Sequence, residues 1–330
     1  MTVVAVTGLT GFVGRNVARA LASEGTRWRG LVRNQRKLAA LDLPQGEIIA
    51  GSLEDTAALE RLCKGTSAII HCGGNIAALS REDFFRTNET GTSLLLAACI
   101  RTGVERFVHV SSLAAREPMV SDYAASKRAA EEVVKQEAGG ISWVIVRPPV
   151  VYGPGDAATV PLMRSLARPV AFLPGSAATR LSLIHVDDLA RALAVLASNN
   201  DVESTVLEID DGKAGGYNFE EIATAASQAT GAKTRVIFVP RSMLAGPALL
   251  SLLIARARGV PAMFCPDKLG ELYHGDWAAS PDKREFAGWR PEIDFSTGFA
   301  DTLKWYKEHG WLPEGVVSTG RSRQEGAVCP

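Results

Sequence analysis

Short apolar runs alternate with amphipathic stretches through the first half of the chain. The runs are Val3 to Val6, Trp28 to Val32, Ile48 to Ala50, Ala68 to His71, Arg106 to Val110 and Trp143 to Val146. Between them, Val13 to Ser23, Asn88 to Thr102 and Tyr123 to Ala138 carry apolar residues at three- and four-residue spacings, which predicts helices. Gly25, Gly103 and Gly139 supply stop signals. Strands alternating with helices predict a parallel sheet. Beyond Tyr152 the pattern loosens and is punctuated by Pro154, Gly155, Pro161, Pro169, Pro174 and Gly175, marking a change of architecture. Helical spacing returns over Val186 to Ala197 and Phe219 to Thr230. The predicted fold is α/β. A doubly wound parallel sheet occupies 1–152, with 183–198 returning to it, and a smaller α+β substrate-binding domain is formed by 153–182 and 199–314. Residues 315–330, rich in Gly, Ser and Arg without apolar periodicity, are expected to form a disordered tail.

Composition narrows the function. The 330 residues include 36 Lys+Arg and 36 Asp+Glu, so the formal net charge is zero, which argues against nucleic acid as a partner. A hydrophobic content of 46% argues against disorder. Cys63, Cys72, Cys99, Cys265 and Cys329 form no CxxC pair, so no zinc site or disulfide framework is indicated, and they read as reduced thiols of a cytoplasmic protein. Met1 runs directly into Val3 to Val6 with no basic segment, so no signal peptide is expected. The longest apolar stretch, Met243 to Ala257, is too short to span a bilayer, is interrupted by Pro247 and closes with Arg256 and Arg258. It has two readings. One is a lid or interfacial helix over 243–258 that admits a lipid-like substrate, with its arginines at head groups of a membrane surface. The other, favoured because apolar residues cover nearly every face, is a buried helix packing the second domain. Gly259 to Phe264 would then form part of an apolar pocket wall.

Three motifs carry chemistry. Thr7-Gly8-Leu9-Thr10-Gly11-Phe12-Val13-Gly14 follows the first strand and opens the first helix. Gly8 permits the tight turn, Gly11 lets backbone approach a pyrophosphate, and Gly14 allows close helix packing, while the helix N-terminus offers unpaired N–H groups. The second strand ends Leu31-Val32-Arg33-Asn34, with arginine where NAD-binding proteins place a carboxylate. Arg33, helped by Arg36 or Lys37, can pair with a 2′-phosphate, which favours NADP(H) over NAD(H). Finally, Ser111-Ser112 ends one strand, and Tyr123 and Lys127 stand one helical turn apart. That spacing lets the ammonium lower the phenol's ordinary pKa of about 10 and makes Tyr123 an acid/base. Either serine could hydrogen-bond the same substrate oxygen, Ser112 being preferred.

At these residues the chain resembles the extended short-chain dehydrogenases/reductases, over nearly its whole length to about Leu312. The resemblance also includes His71-Cys72-Gly73, Asn88-Glu89-Thr90-Gly91-Thr92, Arg147-Pro148-Pro149-Val150-Val151-Tyr152-Gly153-Pro154 and His185-Val186-Asp187-Asp188. It implies a Rossmann fold and the catalytic set Ser112, Tyr123 and Lys127, with the lysine also holding the nicotinamide ribose. The implied cofactor-binding set is Thr7, Gly8, Thr10, Gly11, Phe12, Val13, Gly14, Arg33, Ser52, Leu53, His71, Tyr123, Lys127, Pro148 and Val150, with no metal. Gly51-Ser52 stands where relatives carry Gly-Asp for the adenine.

Val150 stands where sugar-nucleotide relatives often carry Asn, and the segment around it is similar to 3β-hydroxysteroid dehydrogenases and dihydroflavonol reductases. The resemblance therefore implies reduction of a ketone on a sterol, a 3-keto lipid or a keto-ceramide, the last through a loose similarity to bacterial ceramide reductases. A sugar-nucleotide epimerase or dehydratase with bound NAD is the alternative, and a non-catalytic dinucleotide-binding subunit the second. Relatives also imply a homodimer through the helices from Asn88 and Tyr123. His185 reads as structural, Asn88 as a helix cap or cofactor-site support, and Trp277, Trp289, Trp305 and Trp311 as core of the second domain.

Overall fold

The six expected strands form and lie side by side in a computed structural model, which describes residues 2–202, 204–231 and 233–312. They are β1 (Val3–Thr7), β2 (Arg27–Val32), β3 (Glu47–Ala50), β4 (Ala68–His71), β5 (Arg106–Val110) and β6 (Ser142–Val146). Shorter strands follow: β7 (Val150–Tyr152), β8 (Val170–Pro174), β9 (Arg180–Leu181), β10 (Leu183–His185), β11 (Thr205–Leu207), β12 (Arg235–Val239) and β13 (Asp276–Trp277). The main sheet is wholly parallel with order β11-β6-β5-β4-β1-β2-β3, the doubly wound Rossmann arrangement whose order reverses between β1 and β4.

The helices are α1 (Phe12–Ser23), α2 (Gln35–Ala39), α3 (Thr56–Cys63), α4 (Arg81–Phe85), α5 (Gly91–Thr102), α6 (Asp122–Glu137), α7 (Val160–Leu166), α8 (Val186–Ser198), α9 (Phe219–Thr230), α10 (Arg241–Ala257), α11 (Lys268–Leu272) and α12 (Phe295–Glu308). Successive strand residues point to opposite faces, and both faces are covered. Val4 and Val6 join a core with Val17 and Leu21 of α1 and Leu189 and Leu193 of α8, whereas Ala5 joins the one built by α3 and α5. Ile69 and Ile70, Phe107 and Val108, and Ile145 and Val146 divide in the same way. With no solvated face, these strands need no polar alternation, which is why they read as uninterrupted apolar runs. Each such side chain contributes about 1.5–3 kcal/mol on burial.

A third core gathers Tyr152, Met163, Leu166, Phe219, Ile222, Phe295, Phe299 and Tyr306 around the two-stranded sheets. Two expectations change here. Thr205–Leu207, assigned by the sequence to the substrate-binding part, pairs with β6 as an edge of the main sheet, a contact its three residues could not announce. Trp289 packs with α8 in the first core and donates its Nε1–H to the Asp188 carbonyl at 3.1 Å, whereas Trp277, Trp305 and Trp311 do pack against the third.

The buried reading of α10 is overturned. Only Ala248 and Ala255 are buried, and Met243, Leu249, Leu250, Leu253 and Ile254 are 44–67% exposed. One narrow stripe of small residues meets the protein, and the large apolar side chains lie on the other side. Val260 and Met263 are likewise about half exposed, so they do not wall a closed pocket. Among the described residues, no helix is long and apolar enough to cross a membrane. The tail expected over 315–330, with Cys329, lies outside the described residues.

Candidate active site

The glycine loop sits at the reversal point of the sheet. Gly8 turns with φ +69°, and the Gly11 N–H donates to the Gly8 carbonyl at 2.8 Å. A Cβ on Gly8 would stand 2.6 Å from the Cys72 carbonyl oxygen and 2.8 Å from the Gly73 nitrogen, and one on Gly14 would run into the Gly8 carbonyl. The loop is thus pressed between its own helix and the turn after β4, and no side chain fits at either position. Gly11 differs. It is exposed, its Cβ direction meets only the Gly8 carbonyl, and α1 has no side-chain cap, so the first N–H groups of the helix face open space. Backbone donors in a cradle that a Cβ would fill fit a dinucleotide pyrophosphate.

Thr10, Phe12 and Val13 line this loop with partly exposed side chains. Thr7 and His71 are fully buried: Thr7 Oγ1 lies 2.6 Å from His71 Nδ1 and accepts from the Gly73 N–H at 3.0 Å, and His71 Nε2 lies 3.0 Å from Thr92 Oγ1. Burial, with Lys127 nearby, lowers His71 to about 3, so it is neutral. These two side chains pin β1, β4 and α5 together, and a ligand could meet only their backbone.

Tyr123 lies in the first turn of α6, whose start is fixed by Ser121 Oγ accepting from the Ala124 N–H at 3.0 Å. Ser112 lies near enough to the phenol to pull its pKa down, and its hydroxyl caps a short turn by accepting from the Ala114 N–H at 3.2 Å. Ser111 points the other way and donates to Glu131 Oε1 at 2.5 Å inside the protein, so only Ser112 accompanies Tyr123. The expected lowering of the phenol by Lys127 is not what the structure gives. Burial pushes Tyr123 up to about 12, with Ser112 pulling it down and Glu271 adding to the rise. Lys127 donates to the Val110 carbonyl at 2.8 Å and is itself lowered to about 8 by burial. The phenol therefore holds its proton at neutral pH.

Beneath these groups lies a buried ionic network. Arg147 grips Glu131 with two bonds of 2.8 and 2.7 Å and reaches Glu208 at 3.2 Å; both carboxylates are fully buried. Glu208 accepts further bonds from the Ser280 N–H at 3.0 Å and hydroxyl at 2.8 Å. The arginine of the Arg-Pro-Pro motif thus holds β6, α6 and the C-terminal part together. Asn88 is not a helix cap. It sits in a π-helical turn, 86–90, accepts from the Asn75 N–H at 2.7 Å, and donates to the Asn75 carbonyl at 3.1 Å and Ser126 Oγ at 2.8 Å. It thereby ties the loop after β4 to the helix carrying Tyr123 and Lys127.

Other expected positions are less converged. Arg33, Arg36 and Lys37 are exposed at the end of β2, and among the described residues none of them forms an ion pair with a carboxylate. Ser52 and Leu53 follow β3, with Leu53 packed toward Gly73 and Gly91. Pro148 is buried with its carbonyl accepting from the Leu113 N–H at 2.9 Å, and Val150 is half-buried in β7. His185 caps α8 through Nδ1, which accepts from the Asp187 N–H at 3.3 Å, in keeping with a structural role.

The sequence reading missed α11 entirely. Asp267 accepts from the Asp122 N–H with both oxygens, at 3.2 and 3.1 Å, across 145 positions of sequence. Lys268 Nζ stands 5.1 Å from the centre of the Tyr123 ring and 2.5 Å from Glu271 Oε2. The only local signal is the return of acidic residues after 240–266, which contains none.

The model of the NAD-dependent epimerase/dehydratase family matches residues 4–209. The chain is 38% identical over 317 residues to ceramide reductase of Caulobacter vibrioides, covering 96% of this chain and 98% of that one. It is 26% identical to sterol demethylase protein B of Methylococcus capsulatus, covering 93% and 99%. The structure of Thermotoga maritima UDP-glucose 4-epimerase superposes with a TM-score of 0.69 at 19% identity, covering 93% and 99%, a likeness of fold alone.

Proposed function

The chain belongs to the NAD-dependent epimerase/dehydratase family, the extended short-chain dehydrogenases/reductases, and from that premise we propose that it is an NADP(H)-dependent reductase of a ketone on a lipid-like substrate. The observation that carries this reading is geometric: the glycine cradle packs on the turn after β4, and Lys127, one helical turn from Tyr123, reaches Gly74 of that same turn. Similarity to a protein named ceramide reductase along nearly the whole chain supports the substrate class.

Gly8, Gly11 and Gly14 would hold the pyrophosphate of the dinucleotide, and Lys127 the nicotinamide ribose; the bound nicotinamide supplies the hydride to the carbonyl carbon. As the C=O electron pair moves onto oxygen, Tyr123 transfers its proton there and is left as phenolate. Ser112 donates a second hydrogen bond to the same oxygen, and the Lys127 ammonium one turn away stabilises the phenolate. The main sheet forms the nucleotide-binding domain and the third core the substrate-binding domain in this reading. The test is NADPH oxidation by the purified protein with hydrophobic long-chain ketones. Interconversion of a sugar nucleotide with bound NAD, without ketone reduction, would reject the reading.

The preference for NADP(H) rests on Arg33 after β2 and Arg36 and Lys37 in α2, none of which pairs with a carboxylate among the described residues. Arg33→Ala is expected to raise KM for NADPH about 10- to 100-fold, the worth of a charge-assisted pair, and to leave KM for NADH nearly unchanged. Equal change with both nucleotides would remove Arg33 from 2′-phosphate recognition.

Partner contacts belong to the same proposal. Residues 240–266 hold three arginines and no acidic residue, and by helical periodicity Arg256 and Arg258 fall on opposite margins of the exposed face formed by Met243, Leu249, Leu250, Leu253 and Ile254. An apolar face with cationic margins complements an anionic bilayer surface. The protein is expected to sediment with vesicles of phosphatidylglycerol, and Leu250→Glu/Ile254→Glu to remain in the supernatant. Unchanged sedimentation, or dimer dissociation in place of vesicle release, would assign this face otherwise. A homodimer through α5 and α6 is proposed as well, read by the mass of the protein in solution.

A further inference from the structure

Two thiols that the proposed reaction does not use face one another between α3 and α5. Cys63 is the last residue of α3 and Cys99 stands in the last turn of α5. Both are fully buried, in the core that also holds Leu59, Leu62, Leu95 and Leu96, and their Sγ atoms lie 3.7 Å apart, within hydrogen-bonding distance for sulfur. The two thiols are not equivalent. The hydrogen bond from Cys99 holds the Cys63 thiol below its ordinary range against the opposing effect of burial, and Arg29 and Arg101 add to the lowering. The same bond, together with burial, pushes Cys99 up, so Cys99 keeps its proton.

The pair lies away from the cleft. Helices of a parallel sheet run back against its strands, so the C-terminal ends of α3 and α5 stand at the edge of the sheet opposite to the glycine loop. At that edge a single turn covers Cys63. Lys64 and Gly65 are exposed, and a Cβ on Gly65 would meet nothing within 4 Å. The turn is held by Arg29, which donates to the carbonyls of Arg61, Leu62 and Lys64 at 3.0, 3.0 and 2.7 Å and pairs with Glu47 at 2.7 Å.

We infer that Cys63 and Cys99 form a reversible redox pair, closed by hydrogen peroxide into a disulfide that ties α3 to α5 and reopened by a dithiol. Peroxide reaches Cys63 when the turn held by Arg29 opens. The Cys63 thiolate attacks one peroxide oxygen, the O–O bond breaks, hydroxide leaves, and Cys63 becomes a sulfenic acid. The Cys99 sulfur then attacks the Cys63 sulfur: the S–S bond forms, the S–O bond breaks, and the Cys99 proton leaves with that oxygen as water. The hydroxide takes up the proton released by Cys63, so the two thiols are oxidised by two electrons and the peroxide is reduced to two waters. The sulfurs close from 3.7 Å to about 2.0 Å, a movement confined to the ends of two helices. The inference stands apart from the reductase reading, since it uses no residue of the cleft.

The test treats the full-length protein with hydrogen peroxide, alkylates the remaining thiols and digests without reduction. Mass spectrometry is expected to find the Cys63 and Cys99 peptides linked, and to find them separate again after dithiothreitol. The link joins positions 36 residues apart, so the oxidised protein should unfold about 5 °C higher than the reduced one. Cys63→Ala and Cys99→Ala should each lose the link and the rise. Arg29→Met, which frees the end of α3, should speed linking about 10-fold or more. Separate peptides at a peroxide dose that oxidises the half-buried Cys265, or linkage of Cys63 to Cys72 or Cys265 instead, would overturn the inference. Linking that begins only once circular dichroism reports unfolding would overturn it as well, and an unchanged rate in Arg29→Met would overturn entry at the end of α3. The peptide map of the parent decides the matter should the alanine variants fail to fold.

Discussion

Tyr123→Phe is expected to lower kcat for ketone reduction about 100- to 10,000-fold, the range over which a positioned general acid contributes. The change removes one oxygen and leaves the ring against Phe84, so the helix and its Ser121 cap should persist. The loss should fall on kcat and kcat/KM together, because proton transfer occurs only on the way to the alcohol. The parent should also show an alkaline limb. Lys127 is lowered to about 8 by burial, so its ammonium is present below that pH and is lost as pH rises through it, and the phenolate loses its stabilising charge. Tyr123, pushed up to about 12, stays protonated across the same window and adds no limb of its own. A pH profile of kcat from pH 6 to 10 checks this, and a flat profile would free Lys127 from the proposed role.

Glu131→Ala is expected to destabilise the fold by about 3–5 kcal/mol, because it leaves the Arg147 guanidinium buried after losing both members of its bidentate pair. Against a total of about 5–15 kcal/mol for a typical domain, that loss should be plain in urea unfolding. Ser111 loses its acceptor in the same change. Replacing Arg147 with Met in the Glu131→Ala background removes the unpaired charge and should recover part of the loss; recovery of none would mean that Arg147 is held chiefly by Glu208.

The sheet was legible because its signals are local. The strands in the middle of the sheet, buried on both faces, announce themselves as apolar runs, and Gly103 closes α5 with a left-handed φ of +75°, as a stop glycine does. The glycine loop, Ser112, Tyr123 and Lys127 lie within one βα series, so their spacing nearly fixes their neighbourhood. What stayed hidden depends on distant parts of the chain. Composition could not tell α10 from a core helix, because exposure is decided by what folds against it. Nor could it place Glu271 near the phenol, since only the docking of Asp267 on Asp122 brings them together. The sign of the Tyr123 shift failed for a related reason: one-turn spacing speaks of Lys127, but burial by the surrounding chain dominates, and Lys127 spends a donor on Val110.

The most direct test uses NADPH deuterated at its transferable position, with a long-chain ketone and the purified protein. The account predicts alcohol carrying deuterium on the former carbonyl carbon, formed in step with NADPH loss and nearly absent with Tyr123→Phe. Unlabelled alcohol, or undiminished labelling by the phenylalanine variant, would contradict it.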